Sequence, residues 1–283
     1  MSAVDVATRR RPGRTALLYL AAGALLVFSA LPFVWMVATS LQPMSRLVVD
    51  TTAPLDPSTF TLAGFTELFE RYPVWRWVSN SFLVAGAVAL GATVVDALAA
   101  FALARLDWRG RTAVFVVVLV PLMIPLQVLL VPLYLMMRDL GWIDSYLAVI
   151  VPFVCSPTGI FLLRQHFITL PRELDEAAMI DGASRLRTLV SVILPVSLAA
   201  LGTQAIIKFV FIYGEFAWPS LVLNDAALQT LPVGLAGFQN EFAPRWDLLM
   251  AGSVVAAVPL VIGFFALQRY FVRGLTAGGV AGE

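Results

Sequence analysis

The side chains that could carry chemistry are few, and the most informative of them lie in the segment 171–184. The chain has a single histidine, His166, and a single cysteine, Cys155. A serine–histidine–acid triad or a zinc site would have to be built around that one imidazole, and an intrachain disulfide is excluded. We expect His166 to be a solvated loop residue and Cys155 to be an inert packing residue. The segment 171–184 instead has the composition of a surface that contacts another protein.

The pattern of this segment predicts a short amphipathic helix, a sharp turn and a second helix. Pro171 fits the first turn of a helix, where its missing N–H does no harm, and acids follow it near the positive end of the helix dipole. Gly182 is a natural helix stop, and Ser184 can cap a second helix that runs to Pro195. Small side chains would let another backbone approach closely, and acids would anchor it at the rim. The acids are Glu173, Asp175 and Glu176, and the small residues are Ala177, Ala178, Gly182 and Ala183.

The elements that must hold this segment are strongly apolar. Of the 283 residues, 60% are hydrophobic and 13% are charged, whereas about 25% of the residues in an average soluble domain are charged. This charge density is too low to cover a soluble globule of this size, so a soluble enzyme and a disordered chain are both excluded. The net charge of +1 gives no electrostatic case for a nucleic-acid partner. The composition predicts an all-α polytopic membrane protein.

Six stretches are apolar and long enough to cross a bilayer as helices. They cover residues 15–41, 77–104, 112–137, 145–165, 190–222 and 248–271. The first follows a basic segment, 1–14, but it is too long for the apolar core of a signal peptide, so we expect it to remain as an anchor. We expect residues 15–283 to form a single transmembrane domain with a core over about 75–271. The loop 166–189 then carries the segment 171–184.

The distribution of basic residues predicts the orientation of these spans. With the N-terminus in the cytoplasm, the cytoplasmic segments hold 13 basic residues and the outer segments hold 5. The positive-inside rule therefore places both termini in the cytoplasm. This orientation puts the loop 166–189 on the cytoplasmic side and two longer loops, about 42–76 and 224–247, on the outside.

Polar side chains inside the predicted spans form a second candidate site. Gln204, Lys208 and Glu215 fall broadly on one stripe of the fifth span, and charge inside a membrane normally faces a bundle interior or water. One interpretation is that the stripe lines a translocation path. The other is that Asp96 in the second span neutralises Lys208, and the sequence leaves both interpretations open. Further candidates for the path, each of which could instead make a helix–helix hydrogen bond, are Asn80, Gln127, Tyr134 and Tyr213.

The segment and its flanks resemble a known family. Glu176-Ala177-Ala178, followed by Asp181-Gly182-Ala183 and then by Val192-Ile193-Leu194-Pro195, looks like the EAA loop of ABC importer permeases. Residues 102–105 and 229–235 agree with the same family, and residues 268–278 are similar to its carbohydrate-uptake, maltose-transporter branch. The resemblance covers roughly residues 15–283, and it is specific because its motifs are ordered and lie on the correct sides of the membrane. A helix lying on lipid headgroups, the other interpretation of the segment, would favour arginine over three acids.

The resemblance implies the type I ABC importer transmembrane fold, with six transmembrane helices. In that family the loop forms a coupling helix that docks into a cleft on the ATP-binding subunit. Carried onto this sequence, the coupling residues are Glu173, Glu176, Ala177, Ala178, Asp181, Gly182, Ala183 and Ser184. The sequence departs from the family pattern at Ala199, Gly214 and Ala281, and we expect the first two to affect span five and the third to affect the contact of the tail with the ATPase.

The resemblance also implies a permease subunit, and not an enzyme, that moves a sugar, an oligosaccharide or a sugar derivative such as a polyol phosphate into the cytoplasm by alternating access. The implied partners are a second homologous permease, a dimer of ATP-binding cassette ATPases, an extracytoplasmic solute-binding protein and the lipid of a bacterial inner membrane. The chain has no Gly-x-x-x-x-Gly-Lys-Ser/Thr loop, so we expect ATP and Mg²⁺ on the partner ATPase and no cofactor on this chain. The alternatives are a permease for a non-carbohydrate solute and a self-contained secondary transporter. The latter would need an inverted repeat or paired broken helices, and the sequence predicts neither.

Overall fold

The computed structural model describes residues 12–48, 56–239 and 244–279, with side chains placed for residues 17–48, 56–239 and 244–265. Every regular element within these residues is helical, which confirms the all-α prediction. Most of the predicted N-terminal segment 1–14 lies outside the described residues, as does Ala281.

Two compact units divide the chain, Met1–Tyr72 with Phe238–Val255, and Pro73–Gly237 with Ala256–Glu283. The described helices of the first stretch are α1 (Pro12–Ser40), α2 (Met44–Leu47) and α3 (Ala63–Arg71). The second unit contains α4 (Val74–Arg105), α5 (Arg111–Leu119), α6 (Leu126–Asp139), α7 (Tyr146–Ile150), α8 (Pro157–Thr169), α9 (Glu173–Ile180), α10 (Arg185–Thr188), α11 (Leu194–Val196), α12 (Leu198–Tyr213), α13 (Ala217–Val222) and α14 (Leu231–Ala236). The last helix, α15 (Trp246–Gly279), begins in the first unit and continues in the second.

Four helical stretches of the described chain are long and apolar enough to cross a membrane. They are Leu17–Ser40, Val74–Arg105, Tyr146–Thr169 and Trp246–Phe265, and they correspond to the predicted spans one, two, four and six. Two further pairs pass the same test but are sharply bent. The chain bends by 101° between Arg111–Met123 and Leu126–Asp139. It bends by 82° between Arg185–Val196 and Leu198–Tyr213. The described chain therefore has four candidate spans, or six if each bent pair is counted as one.

The two bends fall at prolines, which remove a backbone N–H and clash with the carbonyl four residues earlier. In the first pair, Pro121 lies in a 3₁₀ turn and Pro125 directly precedes α6. In the second pair, a π-helical stretch (Leu189–Ile193) leads to Pro195, and the helix restarts after Ser197. The structure thus corrects the expectation that residues 112–137 and 190–222 each form one continuous helix.

A cluster of ion pairs joins α3 to the start of α15 in the first unit. The guanidinium of Arg245 donates to both carboxylate oxygens of Glu67, at 3.1 and 2.7 Å, and to both oxygens of Asp247, at 3.0 and 2.8 Å. Arg71, one turn after Glu67, adds a second cation at 3.1 Å. The hydrogen bonds from Arg245 hold the pKa of the Glu67 carboxyl below its ordinary value.

Helix α4 forms the centre of the core in the second unit. Its buried face is built mainly from alanine and valine, and these small side chains let the neighbouring helices approach closely. One cluster joins Ala97, Ala100, Phe101 and Ala104 of α4 to Leu163, Phe167, Leu189 and Ile193. A second cluster joins Val84, Ala85 and Val88 of α4 to Val149, Ile212, Tyr213, Trp218 and Val222.

A buried carboxylate connects α4 to α8 and α12 between these two clusters. Asp96 is fully buried, and its Oδ1 accepts a hydrogen bond from the N–H of Ser156, the residue that caps α8, at 2.8 Å. Its Oδ2 accepts one from Nε2 of Gln204 at 2.9 Å, and Oε1 of Gln204 accepts one from the hydroxyl of Thr93 at 2.8 Å. A Cβ at Gly159 would collide with Asp96 and lie 2.7 Å from Nε2 of Gln204, so only glycine fits there. We call this group of five residues the Asp96 node.

We predict that Gly159→Ala lowers the free energy of unfolding by about 1–3 kcal/mol, the range expected for overpacking a close-packed site. The added methyl group would push Asp96 away from its hydrogen-bond donors. The thermal unfolding midpoint of the detergent-solubilised chain measures the effect. Gly202→Ala is the matched control on α12, because nothing lies within 4 Å of its Cβ position, and it should unfold at or above the wild-type temperature. Equal midpoints for the two variants would contradict the close packing at the Asp96 node.

We predict that Glu67→Gln lowers stability at neutral pH by about 0.5–1 kcal/mol, because it removes one charge from a partly exposed ion cluster. A carboxyl whose folded-state pKa is lowered stabilises the fold above its ordinary pKa, and this contribution is lost as the pH falls through the lowered value. The unfolding midpoint of the wild type should therefore fall more steeply than that of the variant on acidification from about pH 7 to about pH 3. An identical pH profile for the two proteins would show that Glu67 contributes no such stabilisation.

Candidate functional site

The segment 171–184 folds around its glycine as the sequence predicts. Helix α9 has its three acids in the first turn and ends at Ile180. Gly182 has a φ of +74°, a left-handed conformation that glycine adopts without strain. The N–H groups of Gly182 and Ala183 donate to the carbonyls of Met179 and Ala178 at 3.0 and 2.9 Å. This pair of hydrogen bonds closes the helix and turns the chain sharply.

The prediction for the segment 171–184 is correct at its C-terminal end and wrong at its N-terminal end. Ser184 caps α10 as predicted, because its Oγ accepts a hydrogen bond from the N–H of Arg187 at 3.3 Å. Pro171 was expected in the first turn of α9, but it lies two residues before the helix. The carbonyls of Leu170 and Pro171 accept hydrogen bonds from Arg105 at 3.0 and 2.9 Å, and this interaction holds the stretch outside the helix.

Helix α9 has two different faces. Asp175 and Ala178 are buried against the chain itself, so the structure corrects the expectation that Ala178 faces a partner. Ala178 follows Asp175 by almost one turn and therefore lies on the same inward face. Among the other coupling positions, Ala183 is half-buried. The rest are exposed, and they are Glu173, Glu176, Ala177, Asp181, Gly182 and Ser184.

Large apolar side chains lie among these exposed positions. Ile180, at the end of α9, is 86% exposed, and Leu186 of α10 is 61% exposed. We call the exposed surface formed by Glu176, Ala177, Ile180, Gly182 and Leu186 the coupling surface. It combines small residues, which permit close approach, with apolar side chains that gain free energy when another surface covers them.

A buried ion pair fixes the inward face of α9. Arg105, the last residue of α4, is 5% exposed, and its guanidinium lies 3.2 Å from Oδ2 of Asp175. The same guanidinium donates to the carbonyls of Leu170 and Pro171. One side chain of α4 therefore holds both the entry to the segment and the first turn of α9. Removing one partner of such a buried pair costs about 3–5 kcal/mol, because the other charge is left uncompensated. We call this pair the Arg105–Asp175 clamp.

Sequence reasoning missed the clamp. It counted Arg105 among the basic residues of the cytoplasmic side, and it placed Asp175 with the acids that anchor another protein. An arginine at the end of a long apolar helix is a signal that its guanidinium can bind groups in the loop that follows. No spacing rule identifies the acid that it binds, because the two residues are far apart in the sequence.

The histidine and the cysteine both differ from expectation. Helix α8 continues to Thr169, so the predicted loop 166–189 begins after that residue and His166 lies inside a helix. His166 is half-buried, and its Nε2 lies 3.2 Å from the hydroxyl of Ser197, where the helix restarts after its bend. Cys155 is exposed rather than packed. No three His, Cys, Asp or Glu side chains come together to hold a metal ion in the part of the chain that the structure describes.

Three of the predicted path residues are engaged in contacts within the chain. Nδ2 of Asn80 donates to the carbonyls of Ala227 and Gln229 at 3.0 and 2.8 Å, while its Oδ1 accepts from the hydroxyl of Tyr146 at 2.8 Å. Gln204 belongs to the Asp96 node. Glu215 accepts a hydrogen bond from the N–H of Trp218 at 3.2 Å, at the start of α13. These three side chains position helices and loops.

The remaining path candidates differ in exposure. Tyr213 is 2% exposed, and its hydroxyl has no hydrogen-bond partner among the described residues. Its ring stacks on that of Phe209, with centroids 5.8 Å apart. Tyr134 is half-buried against the same cluster, and Gln127 is exposed.

Lys208 is half-buried in α12 and lines a cavity of about 200 Å³. Lys208 and Asp96, whose pairing the sequence left open, form no close ion pair; the carboxylate accepts its hydrogen bonds from Ser156 and Gln204, while the opposite charges of Lys208 and Asp96 attract each other at longer range. The ring of Phe153 lies nearby, with its centroid 5.8 Å from Nζ. The structure therefore leaves the ammonium group facing a cavity.

A family model and two related proteins assign the chain to the same family. Residues 96–277 match the family described as binding-protein-dependent transport system inner membrane component. An arabinooligosaccharide transport system permease protein from Halalkalibacterium halodurans is 36% identical over 253 residues, which cover 89% of this chain and 91% of the relative. A trehalose/maltose transport system permease protein from Thermococcus litoralis is 35% identical over 274 residues, which cover 94% and 97% of the two chains.

A solved structure shares the fold. It is that of a bacterial ABC transporter involved in the import of the acidic polysaccharide alginate, and it matches with a TM-score of 0.80 over 95% of this chain and 100% of the other. At 20% identity this likeness shows the fold alone, which is that of an ABC importer permease. The match over residues 96–277 and the identity to two sugar-transport permeases show family membership as well as the fold. The chain belongs to the family of binding-protein-dependent transport system inner membrane components.

Proposed function

We propose that this chain is a permease subunit of an ATP-driven importer that takes a sugar, an oligosaccharide or a sugar derivative from a solute-binding protein into the cytoplasm. The observation that carries the proposal is the coupling surface on a helix that the Arg105–Asp175 clamp holds against α4. An exposed apolar surface that also contains small residues is typical of a protein-docking site. The names of the two relatives, both permeases of sugar transport systems, support the class of solute.

The proposed mechanism is alternating access driven from the coupling surface. Closure of the ATPase dimer displaces α9, and the clamp carries this displacement to α4, because moving α9 alone would separate a buried ion pair. Helix α4 holds α8 and α12 through the Asp96 node, so the same movement reaches three helices of the bundle. The translocation path then opens to the outside to receive the solute, and hydrolysis of ATP returns the transporter to its starting state.

The proposed assembly has four kinds of partner. A second homologous permease completes the transmembrane part, and a dimer of ATP-binding cassette ATPases holds ATP and Mg²⁺ beneath it. A solute-binding protein docks on the outer loops, in keeping with the family's description. The chain lies in a bacterial inner membrane with both termini in the cytoplasm, and residues 15–283 act as one permease domain with a core over about 75–271.

A self-contained secondary transporter is the second candidate, because the two sharply bent helix pairs are a feature of such proteins. That function would leave the coupling surface and the clamp without a role. The related permeases favour the importer, and co-purification with ATPase subunits separates the two candidates.

We predict that Ile180→Asp reduces co-purification of the ATPase subunits at least tenfold, because it places a charge where an apolar side chain would be covered. A tenfold loss corresponds to about 1.4 kcal/mol, which is less than the roughly 1.5–3 kcal/mol gained when an isoleucine side chain is fully buried. Leu62→Asp is the matched control, since Leu62 is 65% exposed at the start of α3. Undiminished ATPase binding by the Ile180 variant would contradict the docking role.

We predict that Arg105→Gln abolishes most of the solute-stimulated ATP hydrolysis of the reconstituted complex, because Asp175 would be left buried without its cation. Arg172→Gln is the control in the same loop. Its ion pair with Asp107 is long, at 3.7 Å, and both side chains are more than half exposed, so its loss should change little. Equal stimulation in the two variants would show that the clamp does not transmit the movement of α9.

A further inference from the structure

The cavity around Lys208 lies between α8 and α12. Its lining is mostly apolar and includes Leu162 and Phe211, and the polar residues that contribute to it are Ser156, Thr158, Gln204 and Lys208. Its volume of about 200 Å³ is below the roughly 300–1,000 Å³ of sites for drug-sized ligands, so it fits one sugar unit rather than an oligosaccharide. A cation inside a membrane helix is costly and normally faces a partner or a water-filled cavity.

Asp96 attracts Lys208 at longer range but accepts no hydrogen bond from its ammonium group. Both carboxylate oxygens of Asp96 accept hydrogen bonds from the protein, at 2.8 Å from Ser156 and 2.9 Å from Gln204. Within the described residues, by contrast, the ammonium of Lys208 makes no hydrogen bond and no close ion pair, and the centroid of the Phe153 ring lies 5.8 Å from its Nζ. The described part of the chain therefore supplies no hydrogen-bond acceptor for the three N–H donors of Lys208.

From this imbalance we infer that the cavity binds the negatively charged group of an acidic solute, a carboxylate, sulfonate or phosphate carried by a sugar unit. The inference rests on the proposed function and adds the charge of the solute. The ammonium offers three donors to an anion, and the low dielectric of the bundle strengthens their attraction. The hydroxyl of Thr158 can bind a sugar hydroxyl, and the ring of Phe211 can cover the apolar face of a sugar.

The rival explanation is that Lys208 acts only as a distant counter-charge to Asp96. The two explanations differ in one respect. A pure counter-charge would treat acidic and neutral sugars alike, whereas a binding group would discriminate between them.

The sequence supplies its own probe, because Lys208 is the one lysine of the chain. Labelling lysine with ¹⁵N at the ε position therefore gives a single ammonium signal in nuclear magnetic resonance spectra of the full chain in lipid nanodiscs. Titration with glucuronate or glycerol phosphate should shift this signal saturably, and glucose, with sodium chloride added to match the ionic strength, should not. A shift of equal size with glucose, or no shift with either anion, would overturn the inference.

Uptake by the reconstituted complex gives a second test, with a disaccharide that contains glucuronate compared with its neutral glucose counterpart. We expect the wild type to take up the acidic sugar, Lys208→Gln to reduce this uptake at least tenfold, and Lys208→Arg to retain it because it keeps the charge. Thr203→Val is the control on the same helix, since that hydroxyl bonds only its own helix, at 2.8 Å from the carbonyl of Ala199. Uptake of the neutral sugar alone, or full uptake of the acidic sugar by Lys208→Gln, would overturn the inference.

The two proposals fail separately. If the chain assembles with ATPase subunits but its lysine signal does not discriminate between acid and neutral sugars, the acidic solute is wrong and the importer stands. If the chain binds no ATPase, the importer is wrong whatever the lysine signal shows.

Discussion

The second unit depends on one constraint, which is that the carboxylate of Asp96 lies buried in an apolar helix and must be hydrogen-bonded there. An unsatisfied charge in a membrane costs several kcal/mol, so its donors are fixed in position. Those donors come from the cap of α8 and from α12, and Gly159 is the side-chain-free position that lets them approach. The relative positions of three helices therefore follow from one acid and one glycine.

The same helix that carries Asp96 also ends at Arg105, which connects the membrane-embedded core to the coupling surface. Arg105 follows Asp96 by nine positions in the helix, which places the two residues about 13 Å apart along the axis. Helix α4 contains no proline, whereas α1 and α15 each contain one and two other helical pairs are bent sharply at prolines. An unbroken helix clamped to α9 at its end and to α8 and α12 in its middle is suited to transmit a movement of α9 without absorbing it.

The features that the sequence predicted are those whose chemistry is local. The glycine stop at Gly182 and the cap at Ser184 involve donors and acceptors within a few residues of each other. The apolar stretches can be predicted from composition alone. The clamp and the Asp96 node join residues far apart in the chain, and no spacing rule pairs them. Asp96 was considered as a partner for Lys208 because the two charges are opposite, but the two form no close ion pair, and the hydrogen bonds to the carboxylate come from a backbone N–H and an amide. The bends were missed because proline tolerance depends on neighbouring helices, which the sequence does not show.

Amide hydrogen exchange in residues 171–188 of the complex, with and without its ATPase subunits, tests the coupling role most directly. The exposed amides of this segment should become protected when the ATPase binds, while those of the loop 224–239, which we expect on the opposite side of the membrane, should exchange at an unchanged rate. Exchange in residues 171–188 that stays the same in an assembled complex would contradict the assignment of α9 as the element that the ATPase moves.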